Sequence, residues 1–273
     1  MTTFTVFGSA GFIGSHVAAE VSKRGFECIT PARDDFDSWR DRDLGHVVYA
    51  IGLTADFRQR PADTVRAHVC RVLDVLERAR YQSFVYLSST RLYSGAASAD
   101  ENAAFLVDPA SPSDLYNASK VMGESLVLTL AGARARVVRL SNVYGPDWTS
   151  ENFVTSLVRD AVQLQSVTIR TSADSSKDYI SIDDAVSLIL EVALRGQETI
   201  YNVASGIAVS NGELADALKN ATGSAVAFVD GAPSVVFPRI DVTRIREELG
   251  ANPRSILEDF PGLVSDYRKV VEA

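Results

Sequence analysis

The chain has 273 residues, of which 46% are hydrophobic and 23% charged, and a formal net charge of −8. A chain of this length and composition folds around a sizeable core, as one large α/β domain or two lobes, which excludes repeat arrays, disulfide miniproteins and disordered chains. The acidic balance repels phosphate polymers and anionic lipid surfaces, so neither nucleic acid nor a membrane is expected as a partner.

The N-terminal MTTFTVF has no basic segment and runs directly into a β-prone stretch at 3–7, so no secretory signal is expected. No apolar run approaches the roughly 20 residues that cross a bilayer. The two cysteines, Cys28 and Cys70, fall in a strand pattern and a helix pattern. They are expected as buried small apolar side chains, with no metal site and no disulfide, in a reducing, cytoplasmic setting.

Gly8 ends the first strand, and apolar residues at helical spacing follow from Phe12 to Arg24. The junction reads Gly8-Ser-Ala-Gly11-Phe-Ile-Gly14. In such a turn the first glycine allows the tight bend, the second lets the backbone approach a pyrophosphate, and the third lets the helix pack closely on the sheet. The positive helix end then faces the phosphates, which points to a dinucleotide. A second strand at 26–31 runs into Pro31-Ala32-Arg33-Asp34-Asp35. Arg33 suits a 2′-phosphate and tilts the cofactor from NAD toward NADP, while Asp34 and Asp35 are also near enough to accept from ribose hydroxyls.

Further apolar runs at 46–51, 83–88 and 135–140 alternate with helical patterns at 61–80 and 113–131. Near-continuous apolar strands separated by helices predict a doubly wound parallel sheet covered on both faces, a Rossmann-type α/β fold. Beyond residue 145 the pattern loosens into a helix at 152–164, a strand at 167–170, the polar TSADSSKDY, a helix at 182–195 and a strand at 199–203. Residues 1–145, with 180–204 returning, are therefore expected to form the dinucleotide-binding domain. Residues 146–179 and 205–273 form a smaller C-terminal α/β substrate lobe, with the ligand site in the cleft between. Asp183-Asp184 is expected to cap the start of the 182–195 helix rather than bind a metal. Trp39 and Trp148 are expected as packing residues, Trp148 with the option of lining the ligand pocket.

Tyr116-Asn-Ala-Ser-Lys120 sits near the start of the 113–131 helix, which puts the phenol and the amine on one face. A phenol titrates at about pH 10, and an adjacent ammonium favours its ionised form, so Tyr116 becomes a candidate acid/base. The strand 83–88 ends in Leu87-Ser88-Ser89-Thr90-Arg91, at the sheet edge where open α/β folds bind ligands, and Ser89 offers a hydroxyl there.

These segments, with YAIG (49–52), RLSNVYGP (139–146), KDYISIDDA (177–185), YNVASG (201–206) and DVTRIREELG (241–250), resemble the extended short-chain dehydrogenase/reductases that act as nucleotide-sugar epimerases and dehydratases. The resemblance spans nearly the whole chain. It implies Ser89, Tyr116 and Lys120 as the catalytic triad. It implies cofactor contacts at Gly8, Gly11, Phe12, Ile13, Gly14, Arg33, Ala50, Gly52, Leu87, Tyr116, Lys120, Leu140 and Val143. For the nucleotide-diphosphate sugar it implies Ser89, Thr90, Arg91, Asn142, Lys177 and Arg239. Dehydratase relatives carry Asp-Glu where this chain has Thr90-Arg91, and epimerase-reductases of the fucose-donor type carry a Cys where it has Arg91. What remains is hydride transfer at one carbon, with 4-ketoreduction expected, NAD-dependent 4-epimerisation as the alternative, and a non-catalytic NADP sensor or scaffold as a reading of another class. The 61–80 and 113–131 helices are expected either to form a homodimer face or simply to cover the sheet.

Overall fold

The computed structural model describes residues 2–40, 42–53 and 56–272. Six parallel strands make the central sheet: β1 (Thr3–Phe7), β2 (Glu27–Ile29), β3 (His46–Tyr49), β4 (Ser83–Ser89), β5 (Ala135–Leu140) and, much later, β9 (Ile200–Val203). Their order is β2-β1-β3-β4-β5-β9. The direction of winding reverses between β1 and β3, and ligands of such sheets bind outside the carboxyl ends at that reversal.

Alternation along the strands sorts the core into two layers. Phe4, Val6, Val48, Val85 and Val138 face α1 (Phe12–Lys23) and the later helix α6 (Ile182–Arg195). Phe7, Val47, Tyr49, Phe84 and Tyr86 face the other way, toward α3 (Arg71–Arg78) and α4 (Asp114–Ala131). Fully buried strands need no polar face, which is why they are legible as apolar runs.

The helix expected over 61–80 is interrupted: α2 (Pro61–Val65) and α3 are joined by a π turn at Arg66–Cys70. The wider turn buries Ala67 and His68 and leaves Cys70 exposed, while Cys28 is half-buried. The expectation of two buried thiols is therefore corrected, because the register that turns His68 inward turns Cys70 out.

A second hydrophobic cluster joins α5 (Phe153–Leu164), α7 (Asn211–Thr222) and α9 (Ile256–Glu272). With them lie the two-stranded sheet of β7 (Ser166–Ile169) and β11 (Ala225–Phe228) and the three-stranded sheet of β6 (Asn142–Tyr144), β8 (Ser176–Ser181) and β10 (Ala208–Ser210). Trp148 packs there against Tyr267, with ring centroids 5.1 Å apart, whereas Trp39 is buried under the main sheet. Residues assigned from sequence to this lobe do not all pack in it. Ile240, Val242, and Ile245 and Leu249 of α8 (Thr243–Leu249) join the core of the main sheet, alongside α6. The start of α6 is capped by Ser181, which accepts from the Asp184 N–H at 3.1 Å and donates to its carboxylate at 2.9 Å. No described helix is long and apolar enough to cross a membrane.

Beneath the carboxyl edge of the sheet, Arg139 of β5 forms a buried ion pair with Glu124 of α4 at 2.8 Å. It also donates to the Tyr93 hydroxyl at 2.8 Å and the Glu101 carbonyl at 3.0 Å, and Tyr93 donates in turn to Asn202 of β9 at 2.7 Å. Removing one partner strands a buried charge, which costs about 3–5 kcal/mol, whereas replacing both with apolar groups is far cheaper. Chemical denaturation should therefore show Glu124→Ala severely destabilised and the double variant Glu124→Leu/Arg139→Met close to the parent.

Candidate active site

The glycine turn is built as its spacing predicts. Gly8 has φ of +86°, and a Cβ there would lie 2.9 Å from the Ala50 backbone; a Cβ on Gly14 would lie 2.2 Å from the Gly8 carbonyl oxygen. Gly11 faces open space, with only the Gly8 oxygen near a Cβ at 3.4 Å. No side chain caps α1, and its first turn carries no acidic residue. Backbone N–H groups at a positive helix end are thus left for an anion, in a cradle that side chains would fill.

α4 lies against β4 at the same edge of the sheet. Its Lys120 is buried and donates to the Leu87 carbonyl at 2.8 Å, with Nζ 6.0 Å from the Tyr116 ring centroid. Burial lowers the Lys120 ammonium to about 7, with Glu124 opposing the fall. Burial raises the Tyr116 phenol above its ordinary value, opposed by a hydrogen bond with Ser89 and by the charge of Arg91. The neighbouring lysine is thus not what tunes the phenol in this structure, contrary to the sequence argument. Desolvation penalises both charged forms together.

His68 was not expected in this site. Its Nε2 accepts from the Leu53 N–H at 3.3 Å, its Nδ1 lies 2.8 Å from the Ser119 hydroxyl, and Ser119 donates to the Tyr116 carbonyl at 2.8 Å. That chain of donors assigns the ring proton to Nδ1. The ring stands edge-on to Tyr116 at 5.3 Å, and burial followed by the charge of Lys120 pushes its pKa down to about 2. A buried histidine at helical spacing gives no local signal of such a role.

A cleft of about 460 Å³ runs from the glycine turn to the smaller lobe. On the cofactor side it is lined by Gly11, Phe12, Ile13, Gly14, Ala50, Gly52, Leu87, Leu140 and Val143. Ser89, Thr90, Arg91, Tyr116 and Lys120 form its middle, and Asn142 and Lys177 its far wall. Three expected residues do not line it. Gly8 lies behind the turn, Arg33 is exposed on the loop after β2, and Arg239 is exposed with its Nε donating to the Gly206 carbonyl at 2.9 Å. Asn142 donates to the Asp178 carbonyl at 2.8 Å. Phe57, Asp147, Phe153, Asp178 and Phe237 also line the cleft; Phe57, Phe153 and Phe237 lie outside every motif and meet it only through the fold, whereas Asp178 falls within KDYISIDDA and Asp147 directly follows RLSNVYGP. Among the described residues, the buried Ser88 hydroxyl has no partner within hydrogen-bond distance, and the buried Ser141 hydroxyl faces the Asp178 carboxylate at this edge. With the uncapped turn, the Ser88 hydroxyl makes a donor set that fits a dinucleotide. Among the described residues no group of three or more His, Cys, Asp or Glu is placed to hold a metal ion.

The model of the NAD-dependent epimerase/dehydratase family matches residues 4–204. The chain belongs to this family. It is 28% identical over 227 residues to a dTDP-glucose 4,6-dehydratase of Streptomyces niveus, covering 80% of this chain and 65% of that one. A dTDP-glucose 4,6-dehydratase of Streptomyces griseus is 30% identical over 210 residues, covering 72% and 62%. The chain thus spans somewhat under two thirds of the length of these relatives. Among solved structures, MoeE5 in complex with UDP-glucose and NAD superposes with a TM-score of 0.81 at 22% identity, covering 98% of this chain and 99% of that one, which shows a shared fold.

The buried His68 ring carries a stability consequence of its own. Its folded-state pKa lies below the unfolded value of 6.5, so the unfolded chain binds more protons between the two values. Stability must then fall as pH drops below 6.5. His68→Asn should lose less stability than the parent between pH 6.5 and about 4 in urea titrations; equal losses would refute the buried neutral ring.

Proposed function

We propose that the protein is an NADP- or NAD-dependent oxidoreductase that transfers hydride at a single carbon of the sugar in a nucleotide-diphosphate sugar, acting as a 4-ketoreductase. The observation that carries this reading is the buried Tyr116 phenol, raised above its ordinary value by burial, beside Ser89 and Arg91 on the wall of a cleft that begins at a dinucleotide-type turn. A bound nicotinamide dinucleotide supplies the hydride. Tyr116 donates its proton to the carbonyl oxygen of the substrate, and the phenolate left behind is held by the Ser89 hydroxyl and the charge of Arg91. Lys120, close to half-protonated at neutral pH, is placed on the same helix face to restore the proton, and its remaining N–H groups suit ribose hydroxyls. Lys177 on the far wall suits the diphosphate.

Beside Tyr116 the cleft presents Thr90 and Arg91, not carboxylates. Asp178 is occupied: its carboxylate accepts from Ser205 and from the Ile207 N–H at 3.0–3.1 Å. This favours chemistry at one carbon over elimination of water. The 4-epimerase reading draws support from the family and from the same three residues, which serve oxidation followed by reduction. A sensor or scaffold has no use for a buried Tyr116, Lys120 and Ser89 in contact with one cleft.

The assay is cofactor oxidation with 4-keto nucleotide sugars. Net NADPH consumption is expected, whereas a copurifying NAD that is never consumed selects epimerisation. Tyr116→Phe should lower kcat by about 10²–10⁴-fold while cofactor affinity is unchanged. Arg33→Ala should weaken NADPH binding far more than NADH binding, and equal effects on the two would remove the 2′-phosphate assignment.

A further inference from the structure

Arg91 is held by its own backbone in the turn that follows β4, where its N–H donates to the Ser89 hydroxyl at 3.1 Å. Its guanidinium carbon lies 5.7 Å from the Tyr116 ring centroid and 5.4 Å from that of Phe57, so the charge sits beside the reacting hydroxyl. Nε is buried and, among the described residues, has no hydrogen-bond partner. Two more cations stand nearby. The Arg58 guanidinium lies 4.5 Å from the Phe57 ring centroid, and the charges of Arg58 and Lys177 both repel that of Arg91. Among the described residues no carboxylate lies at ion-pair distance from Arg58, Arg91 or Lys177. Asp114, the acid of α4 that Arg91 feels, is committed to the Asp108 N–H at 3.0 Å and the Asn117 amide at 3.1 Å.

A guanidinium drawn partly out of water with an orphaned donor and no counter-ion is unfavourable unless a ligand supplies the missing acceptors. Neutral sugar hydroxyls accept hydrogen bonds but leave the charge uncompensated. A carboxylate satisfies the charge and the planar donor fork together. Resting on the nucleotide-sugar reading above, we propose that Arg91 is a specificity-determining residue that selects a sugar carrying an anionic group next to the reacting carbon, a hexuronate carboxylate. The adjacency follows from Arg91 flanking Tyr116: the group it binds belongs to the carbon beside the one whose oxygen the phenol protonates.

Isothermal titration tests this on the Tyr116→Phe protein saturated with NADP, which prevents turnover. The probes are UDP-glucuronic acid, UDP-glucose and UDP, with the dTDP-linked set in parallel so that base preference cancels within each set. UDP-glucuronic acid, or its dTDP counterpart, should bind at least about tenfold tighter than the matching glucose form. Adding Arg91→Met should erase that gap, with a loss for UDP-glucuronic acid at least about tenfold larger than any loss for UDP-glucose or UDP. Arg91→Lys, which keeps charge but loses the planar fork, should fall between. Equal affinity of the two sugars in the Arg91 protein overturns the proposal without any variant. So does an Arg91→Met loss that is as large for UDP as for UDP-glucuronic acid, which would assign Arg91 to the diphosphate. If NADP binds and no nucleotide or nucleotide sugar does, the nucleotide-sugar reading itself falls, and the proposal with it.

Discussion

The bond from Lys120 to the Leu87 carbonyl fixes α4 on β4, and most of the site follows from that contact. Three residues on, Gly123 admits no side chain: a Cβ there would lie 2.3 Å from the Tyr86 hydroxyl and 2.7 Å from the His68 carbonyl. On the next position Glu124 locks into Arg139 of β5. Tyr116, Lys120, Gly123 and Glu124 follow one another at helical spacing, so a single face of α4 carries a phenol, an amine, a close-contact point and a buried ion pair. A helix held this tightly cannot slide, and Tyr116 therefore stays opposite Ser89 at the end of the strand.

Close packing of this kind explains which parts of the molecule were legible in the sequence. Strands buried on both faces had to be apolar, and the glycine turn had to be glycine because Gly8 and Gly14 touch backbone. The Tyr116/Lys120 pair is a local spacing on one helix. By contrast, β8 was hidden in a polar stretch because its buried Asp178 is satisfied by Ser205 and Ile207 some thirty positions later. His68 was hidden for the same reason, since its partners come from a loop after β3 and from α4. The titration of Tyr116 and Lys120 was misjudged because spacing brings two groups together but says nothing of how much water they keep.

The charge of the chain and the charge of the site have opposite signs. A net −8 governs the field felt at a distance, and salt screens that field beyond about 10 Å. Arg91 and Lys177 act inside that range on the walls of the cleft, where burial excludes part of the water, with Arg58 near enough for its charge to reach Arg91. Repulsion of nucleic acid or anionic lipid, which are extended polyanions, thus coexists with attraction for a small anion that fits between the lobes. An acidic composition is an argument against polymers alone.

Local electrostatics also couples ligand binding to the proton on Tyr116. Lys120 sits near the middle of its titration at neutral pH, donating to a carbonyl, 5.0 Å from the Tyr86 ring centroid and in the field of Glu124, so changes in its surroundings shift its charge. Negative charge entering the cleft favours the ammonium, and an ammonium beside the phenol favours the phenolate. If Tyr116 acts as the proton donor proposed above, a charged Lys120 would join Arg91 in stabilising the phenolate, against the burial that opposes it.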